Sequence, residues 1–176
     1  MLHPMPRLAL SRGANMDKIK KITFVILGLG ALALSACAAK ETVSHTEHAP
    51  NGDLREVTAS TEKLPNFLNN QQNAVRVAYQ VAGVLGDTMK WIPCYCGCGQ
   101  SAGHKSNLNC FINEIREDGS IEWDDHGTRC GVCVQTAMET AELKQQGKSD
   151  LEIRQYIDNK YSKGFAKPTD TPMPIS

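Results

Sequence analysis

Six cysteines, Cys94, Cys96, Cys98, Cys110, Cys130 and Cys133, fall within 40 residues of a 176-residue chain. No other feature restricts the fold as strongly, because the chain must bend so that these thiols serve a common purpose. Three of them occupy alternate positions in Pro93-Cys94-Tyr95-Cys96-Gly97-Cys98-Gly99. In a flat strand, alternate side chains share a face with their Cα atoms about 6.6 Å apart. Sulfurs bound to one tetrahedral ion at about 2.3 Å lie only about 3.8 Å from each other. A flat strand therefore presents these thiols poorly to a single ion. Gly97 and Gly99 relieve the conflict, because glycine lets the backbone coil and turn its N–H groups toward thiolates.

The second part of the set is Cys130-Gly131-Val132-Cys133, at the expected start of a helix, where positions i and i+3 share a face. A helix N-terminus lowers thiol pKa, which suits both metal ligation and disulfide exchange. His104 and His126 are candidate nitrogen ligands beside these thiols, and Met138, one turn beyond Cys133, offers a thioether or a core side chain. Three chemistries compete for the cysteines. They can ligate soft metal, Cu(I) by preference with Zn as the other candidate. They can form a disulfide framework. Cys130 and Cys133 can also form a redox pair with the rest structural. Dense Cys-x-Cys spacing favours the chelate, since bridges between such near neighbours are strained. Asp124 and Asp125 beside His126 read as turn or capping groups rather than as catalytic acids.

Around this constellation the periodicity predicts helices. Val75, Ala78, Val81, Ala82, Leu85 and Met89 mark one face of a helix over 70–85, with Gly86 as its stop. Val134, Ala137, Met138 and Ala141 mark the buried stripe of another over 130–146, ended by Gly147. Ser149 and Glu152 form a capping box for a last helix whose apolar face is Ile153, Tyr156, Ile157 and Tyr161. Asp118-Gly119 sits between 110–115 and 120–123 as a hairpin turn pair. The expected fold is mainly α: a small helical domain with a Cys-rich loop and one short β-hairpin. Only 6% of residues are aromatic, so its core leans on aliphatic side chains.

The chain start has a different character. Lys18, Lys20 and Lys21 precede an apolar run of 13 residues, 22–34, shorter than the roughly 20 residues a membrane-spanning helix needs. Leu34-Ser35-Ala36-Cys37 resembles the lipobox of bacterial lipoproteins, which implies cleavage before Cys37 and diacylation of its thiol. Two acyl chains give stable anchoring where one does not. The expected organisation is a signal peptide over 1–36, with 1–15 an over-extended start, and a lipidated flexible tether over 37–63. A Cys-rich domain over 64–165 and a tail over 166–176 follow. The tether is expected from its polar composition, which offers little apolar surface to bury. Five of the 19 Lys/Arg but one of the 19 Asp/Glu lie in residues 1–37, leaving 14 basic against 18 acidic residues, a net charge of −4. That balance argues against a nucleic-acid partner.

Pro93-Cys94-Tyr95-Cys96-Gly97-Cys98, Gly103-His104, Asn107-Leu108-Asn109-Cys110-Phe111, Asp125-His126 and Cys130-Gly131-Val132-Cys133 together resemble the PCYCGC-motif lipoproteins, over roughly residues 65–173. The resemblance implies a bacterial envelope lipoprotein with a metal role. The carboxyl-terminal half, with Cys130-x-x-Cys133, Gly147-Lys148-Ser149-Asp150 and Tyr161, is more loosely similar to thiol-disulfide proteins of cytochrome c maturation, which implies a reduced CxxC and a compact helical fold. The expectation is therefore a protein exported and lipid-anchored on the outer face of a bacterial cytoplasmic membrane. It would bind soft metal through Cys94, Cys96, Cys98, Cys110, Cys130, Cys133, His126 and His104, and pass it to or from a metal-transport or delivery protein. The alternatives are a thiol-disulfide oxidoreductase using Cys130 and Cys133, or a disulfide-stapled interaction domain.

Overall fold

The structure, a computed structural model, describes residues 45–175. The signal peptide, Cys37 and the start of the tether lie outside the described residues. No helix among the described residues is long and apolar enough to cross a membrane.

The chain folds as a mixed α/β domain. Strands β1 (Thr46–His48), β2 (Leu54–Thr58), β3 (Ile112–Ile115) and β4 (Ile121–Asp124) form one antiparallel sheet in the order β1-β2-β4-β3. Helices α1 (Asn73–Val84), α2 (Gly86–Met89), α3 (Gly99–Ala102), α4 (Gly131–Gln145) and α5 (Asp150–Tyr161) complete it, with 3-10 turns at Asn66–Leu68, Asn107–Cys110 and Asp125–Arg129. The expectation of a mainly α fold is thus corrected. The hairpin turning at Asp118-Gly119 is present, with Gly119 at φ 81°, but it is one half of a four-stranded sheet.

The other half comes from residues expected to be tether. Its polar composition misled because β2 buries polar side chains that are fully engaged. The buried Glu56 carboxylate accepts the Asn66 and Phe67 backbone N–H groups and the Asn66 side-chain amide, at 2.8–3.3 Å. Buried Thr58 accepts the Trp123 indole N–H at 2.8 Å and donates to the Ser60 carbonyl. Hydrogen-bonded polar groups tolerate burial, so a core strand need not look apolar.

Two cores meet at the cysteine loop. The larger packs Leu68, Ala78, Tyr79, Ala82, Phe111, Ile112, Ile121, Trp123 and Ala137 together with Cys94, Cys110 and Cys133. Tyr79 stands edge-on to Phe111 with ring centroids 5.0 Å apart and donates its hydroxyl to the Asp124 carbonyl at 2.7 Å. The smaller holds Ile92, Tyr95, Ile153, Ile157 and Tyr161, with Tyr95 stacked on Tyr161 and hydrogen-bonded to Asp158. Neighbouring residues Cys94 and Tyr95 thus face different cores.

The helices are close to their expected positions, with two corrections. Gly86 does not end α1 but opens the extra turn α2. The buried stripe of α4 is Cys133, Thr136, Ala137 and Thr140, while Met138 is exposed. Thr136 and Thr140 return their hydroxyls to the carbonyls of Val132 and Thr136, which lets a polar stripe face inward. The capping box of α5 is formed as expected by Ser149 and Glu152. Tyr156 of α5, expected on its apolar face, is exposed.

Residues 166–172, expected as a tail, lie along the cysteine loop. Thr169 pairs with Cys94 in both directions, its N–H giving to the Cys94 carbonyl and its hydroxyl accepting the Cys94 N–H. Ala166 N–H donates to the Tyr95 carbonyl, and Thr171 donates its hydroxyl to the Lys105 carbonyl. The Arg154 guanidinium fastens the strap by donating to the carbonyls of Trp91, Thr171 and Pro172.

Candidate metal centre

Each cysteine is delivered by a short, locally determined element. Cys94 enters behind Pro93, held by the strap. After Cys96, Gly97 adopts φ 85°, a conformation that favours glycine, and the chain turns back so that the Cys98 N–H donates to the Cys96 sulfur at 3.3 Å. The loop therefore coils as its glycines predict. Cys98 leads into α3, and Gly103 ends α3 at φ 72° to place His104. Cys110 closes the 3-10 turn whose start is capped reciprocally by Ser106 and Asn109. Gly127 lets the Asp125–Arg129 turn lie against that segment, since a Cβ there would sit 2.7 Å from the Phe111 ring and 2.8 Å from the Cys110 carbonyl. Cys130 is the N-cap of α4, and Cys133 lies in its first turn.

The six thiols converge, and all are free cysteines. The Cys94 and Cys96 sulfurs are 2.9 Å apart, Cys110 and Cys133 3.1 Å, and Cys94 lies 3.6 Å from both Cys110 and Cys133. These separations are far longer than a disulfide bond of about 2.05 Å and a few tenths of an ångström or more short of the roughly 3.8 Å found around one tetrahedral ion. A slight outward movement of the side chains would admit an ion. The sulfurs form three groups whose ligand atoms lie within 4.8 Å of one another: Cys94/Cys110/Cys133, Cys96/Cys130/Cys133, and Cys96/Cys98 with His126. Cys133 belongs to the first two and Cys96 to the last two, so the groups share corners. The first is fully buried and the last half-buried, which grades the site from core to surface.

The electrostatics separate the thiols. Cys96 lies far below the ordinary thiol range because Cys110, Cys130, Cys133 and Cys94 all donate toward it. Cys94 comes down to about 6, chiefly through Cys110 and then Cys133. Cys133 is held far above the usual value, first by Cys110 and then by Cys130, Cys94 and Cys96. Cys130 is also raised: Cys133 pulls it down, but Cys96 and burial outweigh that. Cys98 is pushed up to about 11 by burial and by the Cys96 thiolate. The expectation that a helix start would make Cys130 and Cys133 the acidic thiols is therefore corrected. Cys96 is the thiol most favoured to ionise, because its neighbours hydrogen-bond to its charged form.

Both predicted histidines reach the site. His104 is buried with Nδ1 3.5 Å from the Cys110 sulfur, and its ring meets that of His126 edge-on, centroids 4.6 Å apart. His126 is held up at about 9, first by the Cys96 thiolate and then by Asp53, against its own desolvation. Met138 is exposed rather than packed in the core.

Asp53 is the residue that sequence reasoning missed. It ends the β1–β2 turn, is buried, and places Oδ2 3.1 Å from His126 Nδ1, while Arg129 grips its other oxygen. Arg129 also holds Asp125, whose carboxylate accepts the Leu54 N–H at the start of β2. The signal was present in Asn51-Gly52-Asp53, a turn sequence of the type that joins strands, with Gly52 at φ 86°. Held at about 9, His126 is protonated at neutral pH, with Asp53 and Cys96 as the partners that keep it so, and an ion binding there must displace a proton.

The family profile described as "Protein of unknown function with PCYCGC motif" matches residues 25–174. The chain belongs to this PCYCGC-motif family. The motif's cysteines run from the core to the surface of the site, Cys94 buried and Cys96 and Cys98 half-buried. No curated protein and no solved structure matches the chain.

Proposed function

We propose that this PCYCGC-motif protein is an envelope lipoprotein that binds Cu(I) in a sulfur-bridged cluster and sequesters or hands over the metal. The observation that carries the reading is the sharing of Cys133 and Cys96 between neighbouring three-ligand groups. Sulfurs common to two groups can bridge two ions, and soft thiolates select Cu(I) among the first-row metals. Six sulfurs also exceed the four ligands of one structural zinc, which ranks Zn(II) second. Anchoring follows from Cys37: the cluster would work at the outer face of the cytoplasmic membrane, exchanging metal with a transport or delivery protein. The oxidoreductase reading has weaker support, because Cys133 has Cys94 and Cys110 within 3.6 Å and does not form an isolated pair with Cys130.

The test is a joint count of metal and free thiols on anaerobically purified, Cu(I)-loaded protein by elemental analysis and mass spectrometry. More than one copper per chain, with six free thiols after metal removal, is the expected result. Three intact disulfides with no retained metal would falsify the proposal. Anchoring is checked separately: Cys37→Ala should move the protein from the membrane to the soluble fraction.

A further inference from the structure

Beside the sulfur cluster lies a second group of potential ligands with different chemistry. Asp53, His104 and His126 hold their ligand atoms within 4.8 Å of one another, and the first two are buried. The Asp53 carboxylate and His126 Nδ1 are 3.1 Å apart. Around a tetrahedral ion with nitrogen and oxygen bonds of about 2.0–2.1 Å, neighbouring ligand atoms lie about 3.3 Å apart. The observed separation is close to that figure. The three residues come from three elements, the β1–β2 turn, the turn after α3 and the turn after β4, and each of those turns is fixed by its own hydrogen bonds. Asp53 is tied to Asn51, the His104 N–H donates to the Gly99 carbonyl, and the His126 N–H donates to the Asp124 carboxylate.

We infer that Asp53, His104 and His126 form a separate nitrogen/oxygen site for a borderline divalent cation of the Zn(II) class. Two imidazoles and a carboxylate suit Zn(II), Cu(II) or Ni(II), while Cu(I) prefers the thiolates next door. Arg129 stands in for the cation: its guanidinium, half exposed, neutralises Asp53 and already has a second carboxylate in Asp125. An incoming dication takes over Asp53, and Arg129 keeps Asp125. His126 lies between the two compartments, with one ring nitrogen toward Asp53 and the other available to Cys96 and Cys98. The protein would thereby hold metals of two hardness classes in adjoining sites.

Cadmium NMR separates the two, because Cd(II) bound by thiolates resonates far from Cd(II) bound by nitrogen and oxygen. The full domain is titrated with Cd(II) under anaerobic conditions. The wild type should give a nitrogen/oxygen-type resonance in addition to thiolate-type ones. Asp53→Asn and His104→Gln should each abolish the former and keep the latter. Arg129→Gln breaks the same ion pair without removing a ligand, so it should retain the resonance at equal or lower Cd(II). Thiolate-type resonances alone in the wild type, or a nitrogen/oxygen resonance that survives both ligand substitutions, would overturn the inference. Absence of thiolate-type resonances would instead count against the sulfur cluster, so the two ideas fail separately.

Discussion

Replacing Cys133 with serine should remove more metal-dependent stability than replacing Cys98. Cys133 is a corner of two sulfur groups, whereas Cys98 belongs to one. An ion held at 1,000 times its Kd stabilises the folded state by about 4 kcal/mol. For a domain of this size that is worth roughly 12–16 °C in Tm, taking about 3–4 °C per kcal/mol. Cys98→Ser, which leaves the two inner groups whole, should forfeit about one such increment. Cys133→Ser should forfeit about two. The serine is also less stable before any metal is added, by about 1–3 kcal/mol, because its hydroxyl is buried among sulfurs that accept hydrogen bonds weakly. Thermal melts of apo and Cu(I)-loaded protein separate the effects, since the apo difference is subtracted for each variant. Equal loss of the metal-induced shift in the two variants would refute the shared-corner reasoning, as would an undiminished shift in Cys133→Ser.

Other substitutions probe the frame around the site. Glu56→Ala leaves the Asn66 and Phe67 N–H groups without their acceptor and should cost about 2–4 kcal/mol in urea unfolding. Gly127→Ala drives a methyl into the Phe111 ring and the Cys110 carbonyl; a loss of about 1–3 kcal/mol in the same assay is expected. The Glu152 carboxylate is lowered to about 2, first by the Ser149 backbone N–H and then by Lys148. Because its folded pKa lies below the unfolded value, its contribution is complete above about pH 4.5 and fades as pH falls toward 2. Glu152→Gln should therefore lower Tm at neutral pH and flatten its decline between those two pH values, read by circular dichroism melts across that range.

Much of the site was legible in the sequence, and the part that was not has a common cause. Gly97 announced a coiled loop because few other residues accept its φ, and Ser149 with Glu152 announced a helix start because the box is a local hydrogen-bond pattern. Asp118-Gly119 marked its hairpin for the same reason. Each of these signals is satisfied by residues within a few positions. Glu56 and Thr58 find their partners at Asn66 and Trp123, and Asp53 finds His126 and Arg129, more than 70 positions away. A buried polar side chain with a distant partner has the composition of a tether and the energetics of a core. Met138 shows the opposite case: helical spacing assigns an apolar residue inward, while Thr136 and Thr140 take the inner face by bonding their own helix.

The strap over residues 166–172 also bears on the timetable of maturation. Thr169 completes the hydrogen bonding of the Cys94 backbone, yet it is made after all six cysteines. Until residues 166–172 are in place, the backbone around Cys94 lacks its partner and the Tyr95 carbonyl its Ala166 donor. The thiols then sit on an unlatched loop and gain their final spacing only when the strap has docked. Such an order would keep the cysteines from taking up their final arrangement before the chain is made through its strap.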